Sequence, residues 1–216
     1  MNMLPPTFDG ITVPQHEWPS GYVIRVTRYA DVILHDAFPE HWADVLNVLN
    51  TFRVEAVGDI GGPGGNRSPL VKRFDDLLEA RGWGKQRMEL TTAIREVGRS
   101  GQTTRSARNH EMDMFKRGAL EPFPGVAVEM EWNNKDPFFD RDLTNYYTLH
   151  RAGALAVGIV VTRGPELQAA LSSRNSQRFG ASTTHWAKLM ARIDVGGGGE
   201  CPLILLGIEP SRVDGL

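Results

Sequence analysis

One cysteine, Cys201, is all that 216 residues supply, so a disulfide within the chain is excluded. That economy fits a reducing cytoplasm, and Cys201, just ahead of an apolar stretch, is expected in the core. Long apolar runs are missing as well: none approaches the roughly 18 residues of a membrane span. The N-terminus has no basic-then-apolar signal pattern, so neither secretion nor membrane insertion is expected. Charge of one sign is not in excess, with 24 Lys and Arg against 26 Asp and Glu. The net charge of −2 does not announce a nucleic-acid partner, so any such contact must come from where charge is placed. The glycine-dense stretch Asp59 to Arg67 lacks a Gly-Lys-Ser/Thr ending, which rules out a nucleotide-binding phosphate loop. No repeat and no boundary to a second domain is visible. What remains is ordinary soluble composition, 41% hydrophobic and 23% charged, of a length that suits one globular domain.

Residues 1–21 hold four of the 13 prolines and read as an extended lead-in. Tyr22 to Tyr29 is strand-like, with apolar continuity to Leu34. Pro39 opens a helix whose stripe is Trp42, Val45, Leu46 and Leu49. His35 and His41 read as surface or internally satisfied residues rather than ligands. A second helix runs from Ser68 to Arg81, with Ser68 as N-cap and Pro69 at the first position; Arg67 and its N-terminus are a possible phosphate contact. Met88 to Val97 fits a strand or a bent helix. Arg99 to Asn109 carries Arg99, Arg105 and Arg108 among small polar residues and no acid. It reads as a loop that orders on an anion, or one that is merely solvated. Ser172 to Thr184 is a second basic, hydroxyl-rich loop with Arg174 and Arg178. Between these, Phe138 to Arg151 fits a helix and Leu155 to Thr162 a buried central strand. Trp186 to Ile193 fits a helix and Leu203 to Ile208 a last strand. The order of elements predicts an α/β (α+β) fold, a mixed central sheet flanked by helices.

The chain is organised around Val126 to Asp136. Val126, Val128, Met130 and Trp132 alternate with Ala127, Glu129 and Glu131, a period of two that predicts a strand. Glu129 and Glu131 then share a face, roughly 6–7 Å apart. Like charges so placed repel unless a cation or hydrogen-bond donors intervene. His110 to Phe115 offers a second alternation carrying Asp113, and an antiparallel pairing through the loop Lys116 to Gly125 would set Asp113 beside both glutamates. Three carboxylates at a sheet edge make a hard oxygen site suited to Mg²⁺. For an arbitrary Glu-x-Glu a solvated strand face is the ordinary reading. The continuation Trp132-Asn133-Asn134-Lys135-Asp136-Pro137-Phe138-Phe139-Asp140-Arg141-Asp142-Leu143 argues otherwise.

With Asp113, the Glu129-x-Glu131 strand and that continuation, the sequence resembles the BglII/BstYI group of type II restriction endonucleases, in the PD-(D/E)xK nuclease superfamily. The resemblance covers roughly Gly61 to the end, through Leu155 to Arg163, Trp186 and Leu203 to Glu209. It departs from the group in a longer connection between Asp113 and Glu129, readable as an extended hairpin loop. It implies a restriction-endonuclease-like fold and a site-specific double-stranded DNA endonuclease reading a palindrome with a GATC core. A two-fold site cut on both strands implies a homodimer. Asp113 and Glu129 are the expected direct Mg²⁺ ligands. Glu131 stands where many of the superfamily have lysine, and is suited to a second metal or to the attacking water. Gln86 falls where the family carries a further polar residue near the site. Asn133 and Asn134 are expected to read base edges and Lys135 to meet a base or phosphate. Asp140, Arg141 and Asp142 either serve the site or simply cap and charge the helix. Arg99, Arg105, Arg108, Arg174 and Arg178 are the expected backbone contacts. The alternatives are a same-fold nuclease for modified or damaged DNA, and a catalytically inactive DNA-binding protein.

Overall fold

A computed structural model of the chain describes residues 10–60, 68–98, 100–119 and 123–216. The chain begins with the short β1 (Ile11–Thr12) and β2 (Tyr22–Thr27), then helices α1 (Ala30–Ala37) and α2 (Pro39–Thr51). After β3 (Val54–Glu55) and a wide turn at Ala56–Ile60 comes α3 (Pro69–Glu79). Five strands follow: β4 (Gly84–Gln86), β5 (Glu89–Arg95), β6 (Gln102–Arg108), β7 (Met112–Arg117) and β8 (Gly125–Glu131). The remainder is α4 (Pro137–Arg151), β9 (Leu155–Arg163), α5 (Pro165–Arg174), α6 (Trp186–Ile193), β10 (Leu203–Ile208) and β11 (Val213–Asp214). Among the described residues no helix is long and apolar enough to cross a membrane.

Seven strands form one mixed sheet in the order β1-β2-β10-β9-β8-β7-β4. The central trio β10, β9 and β8 is parallel, and antiparallel strands complete both flanks. Helices cover both faces, as the continuous apolar run of β9 requires. On one face Val128, Met130, Ile159 and Ile204 pack with Leu34, Val45, Leu49 and Phe74. On the other, Ala127, Val160 and Leu205 pack with Phe139, Tyr146, Leu189 and Ile193 from α4 and α6. The Tyr146 ring lies so close over Gly158 that any Cβ there would strike it. Its hydroxyl donates to the Ile159 carbonyl at 3.0 Å, which seats α4 on β9. Phe139 is fully buried in the same layer, where truncation to alanine costs roughly 3–5 kcal/mol. Ser68 caps α3 as its spacing predicts, accepting from the Val71 amide at 3.3 Å.

Three segments differ from their sequence patterns, and a fourth, left open between strand and helix, is decided. The strand read over Tyr22 to Tyr29 ends at Thr27, and the apolar residues onward to Leu34 are helical, because Arg28 and Tyr29 both take left-handed backbone (φ 53 and 56) and turn the chain into α1. Apolar continuity cannot report such a turn. Met88 to Val97 resolves as strand β5. Its partner is β6, so the stretch expected to be an anion-ordered loop is instead the second strand of a ribbon, with Glu89 opposite Arg108 and Thr91 opposite Ser106. Every residue of β6 is exposed. Threonine-rich cross-strand pairs, including a Thr91–Ser106 hydroxyl contact of 2.7 Å, sustain pairing where no core exists. Arg99 lies outside the described residues, as does Arg67. The basic loop expected from Ser172 begins later, since α5 runs to Arg174. There the Ser172 and Ser173 hydroxyls turn back onto the Gln168 and Ala170 carbonyls, which lets serines stay helical.

Candidate active site

Alternation along β8 sends Val126, Val128, Met130 and Trp132 into one core and Ala127 into the other. Glu129 and Glu131 therefore face α4, each only 2% exposed, and are not a solvated strand face. Antiparallel pairing of β7 with β8, Met114 opposite Val128, sets Asp113 beside Glu129. The Asp113 amide donates to Glu129 Oε1 at 3.0 Å. From above, α4 lowers Asp142 onto the same spot, 2% exposed. Its Oδ1 accepts from Arg141 Nε at 2.7 Å, while its buried Oδ2 has no donor. Arg141 also reaches Glu131 Oε1 at 3.4 Å. Asn134 Nδ2 donates to Glu131 Oε2 at 2.6 Å.

Burial dominates the electrostatics. It pushes the Glu129 carboxyl well above the carboxylate range, and the Asp142 and Asp113 charges push further. Burial, again joined by Asp142, raises Glu131 to about 8. Asp142 is raised by burial too, against the pull of Arg141. Burial lowers the neighbouring His110 imidazole, with Arg141 adding to the effect. Carboxyls held so far from water must either keep their protons or take up a cation in exchange. Donors that are all carboxylate oxygens, one of them without a partner, fit a hard divalent ion of the Mg²⁺ class.

Among the described residues, one group of three side chains sets ligand atoms within 4.8 Å of one another: His16, His35 and Asp36. The two imidazole rings stack at 4.0 Å and 16°, so their in-plane lone pairs run side by side instead of meeting at one point. Imidazole also suits softer metals than Mg²⁺, and the cluster shares no residue with the carboxylate site. The site's own carboxylates are each drawn elsewhere. Asp113 faces Lys85 Nζ at 3.4 Å, Glu129 takes an amide, and Glu131 is held by Asn134 and Arg141.

Of these carboxylates Asp113 and Glu131 border a cavity of about 350 Å³, whose walls also include Lys85, His110, Asn134 and Arg141. Asn133 and Arg178 line it as well, although Arg178 Nη1 is tied to the Ile60 carbonyl at 2.7 Å. Lys135 is exposed beside it, paired through its backbone with Thr183. Gln86 does not reach the cavity. Its side chain bonds the Arg87 carbonyl and borders a separate hollow with Trp83, Phe115 and Arg117. Neighbouring strand residues point to opposite faces, and on β4 it is Lys85 that turns toward Asp113. Arg105 and Arg108 stand on the ribbon and Arg174 at the exposed end of α5, none of them in the cavity wall.

Sequence reasoning did not single out Lys85 or His110, and left Asp142 and Arg141 undecided. Asp142 had a signal. It sits inside the buried stripe Phe139, Leu143, Tyr146 of α4, and an acid at a core position needs a partner.

The chain matches the family model of restriction endonuclease BglII/BglIII over residues 22–208, from the first residue of β2 to the last of β10. The chain belongs to that family. The match begins well upstream of Gly61, so the N-terminal strand and helices are part of the family domain. No individually curated protein matches the chain significantly. Membership in the BglII/BglIII family makes it a nuclease with DNA as substrate, cutting at specific sites.

Proposed function

We propose that this BglII/BglIII-family enzyme is a type II restriction endonuclease, dependent on Mg²⁺ and acting in the cytoplasm. One domain per chain pairs as a homodimer on a palindrome with a GATC core. The observation that carries this reading is the 2.6 Å bond from Asn134 to Glu131. It ties a side chain suited to reading bases directly to the acidic strand, inside one cavity.

Asp113 and Glu129 are the residues to hold the ion, which when bound supplies Lewis-acid polarisation of the phosphate and a more acidic water. Glu131, lining the cavity, would be placed to orient an attacking water and accept its proton. Lys85, beside Asp113, is the cation in reach of the developing charge, in place of the lysine that the Glu131 position lacks. Arg141, a third exposed, can meet the phosphate from the opposite wall. Asn133 and Asn134 face base edges in the major groove and Lys135 a base or phosphate. Arg105, Arg108, Arg174 and Arg178 are backbone contacts that set position without setting sequence.

Plasmid digestion tests the reading, with Mg²⁺ or chelator, on methylated and unmethylated DNA, and with the product ends sequenced. The expected result is uniform ends at a GATC-centred palindrome, only with metal. A requirement for methylation would mean a nuclease of modified DNA, and DNA binding without any nick would mean an inactive binder.

A further inference from the structure

Arg163 closes β9 and is fully buried, yet among the described residues no carboxylate pairs with it. Burial alone lowers its guanidinium to about 9. An unpaired buried cation is costly, and a hydrophobic residue of like volume is ordinarily the more stable choice. What the guanidinium does is specific. Nε and Nη2 both donate to the Thr184 carbonyl, at 3.2 and 2.6 Å. Nη2 also donates to Thr183 Oγ1 at 2.6 Å. Nη1 is buried without a partner. The plane is wedged between two aromatic rings, 5.8 Å from Trp132 and 5.1 Å from Phe179.

The two threonines it grips form the far side of a small backbone ladder whose near side is the candidate base-reading segment. The Thr184 amide donates to the Asn134 carbonyl at 2.8 Å, and the Asp136 amide to the Ser182 carbonyl at 3.1 Å. Between them Lys135 and Thr183 pair antiparallel. A planar guanidinium holds a carbonyl and a hydroxyl in one fixed geometry, whereas a lysine ammonium on its flexible stem could reach them without fixing their angle.

We propose that Arg163 is the positioning residue of the recognition segment, fixing Asn134 to Asp136 through Thr183 and Thr184 so that they meet DNA in one register. The inference rests on the reading that Asn133 and Asn134 contact bases. It adds that a residue remote from DNA sets discrimination. Base contacts tolerate little misplacement, whereas phosphate contacts adapt.

The test uses full-length Arg163→Met, Arg163→Lys and Thr183→Val, with Asn134→Ala as reference. Amide exchange of the free protein should speed up at Asp136 and Thr184 in Arg163→Met while β8 and β9 hold. The ratio of cognate to random-DNA affinity should fall by about tenfold or more, the scale of one base contact, with random binding unchanged. Lysine should restore part of both, and Thr183→Val should give a smaller version of both. If Arg163→Met fails to fold, the Thr183→Val result decides. Exchange unchanged at Asp136 and Thr184, or loosened across the whole sheet, overturns the proposal. So does an intact ratio in Arg163→Met when Asn134→Ala lowers it. If Asn134→Ala leaves the ratio intact too, the base-reading assignment is what has failed.

Discussion

The carboxylate face of β8 and the β5–β6 ribbon hold charge in opposite ways. Glu129, Glu131 and Asp142 are sealed under α4, each about 2% exposed, whereas Arg105 and Arg108 stand exposed on β6. Buried charge is expensive, so its geometry is fixed and small changes in proton, cation or partner act strongly on it. Exposed charge is nearly free, screened by salt and tolerant of position. Chemistry needs the first kind and attraction to a polyanion needs the second. An acidic chain can thus serve DNA without a basic excess.

If that contrast is right, the largest effect comes from the sealed side. Asp113→Ala should reduce cleavage by several orders of magnitude, the scale on which metal-site electrostatics act, in a single-turnover assay with specific binding retained. Near-normal cutting would remove Asp113 from the site.

At the border of the two regions, Asn134→Ala should weaken cognate binding by about 1–3 kcal/mol and leave random DNA nearly untouched. Titration against both DNAs checks this, and an equal loss on both would make Asn134 a scaffold residue, one that merely holds Glu131.

A third effect concerns pH. Glu131 is raised from 4.5 to about 8 in the folded protein. A group raised in this way contributes stability in full below its unfolded value, and that contribution is lost as pH rises through the folded value. Without divalent ion the melting temperature should therefore fall as pH climbs from about 4.5 through about 8, and Mg²⁺ should oppose the fall. Glu131→Gln should flatten the curve. A wild-type curve without that decline would mean that Glu131 is ionised at no cost.

The ribbon should give the smallest effect. Replacing Arg105 and Arg108 with alanine should lower the salt-dependence slope by about one unit for each phosphate left without its cation, with the cut sequence unchanged. Arg108 already pairs with Glu89 at 3.2 Å, so Arg105 should account for more of the change. An unchanged slope would make the ribbon a solvated projection, and a changed cut sequence would place these arginines in a groove.

How much of this was legible in the chain follows the same division. The period of two through Val126 to Trp132 reports which side of β8 each residue takes, because both sides are packed and register is enforced. The apolar run of β9 likewise announces a central strand. The antiparallel approach of Asp113 follows from the hairpin that joins β7 to β8, whereas the pairing of β2 with the distant β10 leaves no mark in the sequence. Less legible was whatever depends on a third element. That Glu129 and Glu131 are buried is decided by α4, and the role of Asp142 only by where α4 lands. Lys85 rather than Gln86 faces the acids because neighbours on a strand take opposite sides, and the register of β4 on β7, which shifts between Gly84 and Gln86, is something no propensity records. The ribbon escaped notice because strand patterns are recognised by a buried face, and β6 has none.

The most direct measurement follows cutting and cognate binding together on one variant, Glu129→Ala. Glu129 lies at the buried centre of the site and touches no base-reading residue. With Mg²⁺ present, cleavage should be abolished while cognate affinity stays the same or tightens, since a carboxylate repelling phosphate has gone. Cleavage close to wild type, or binding and cleavage lost in equal measure, would contradict the assignment of chemistry to the sealed carboxylates.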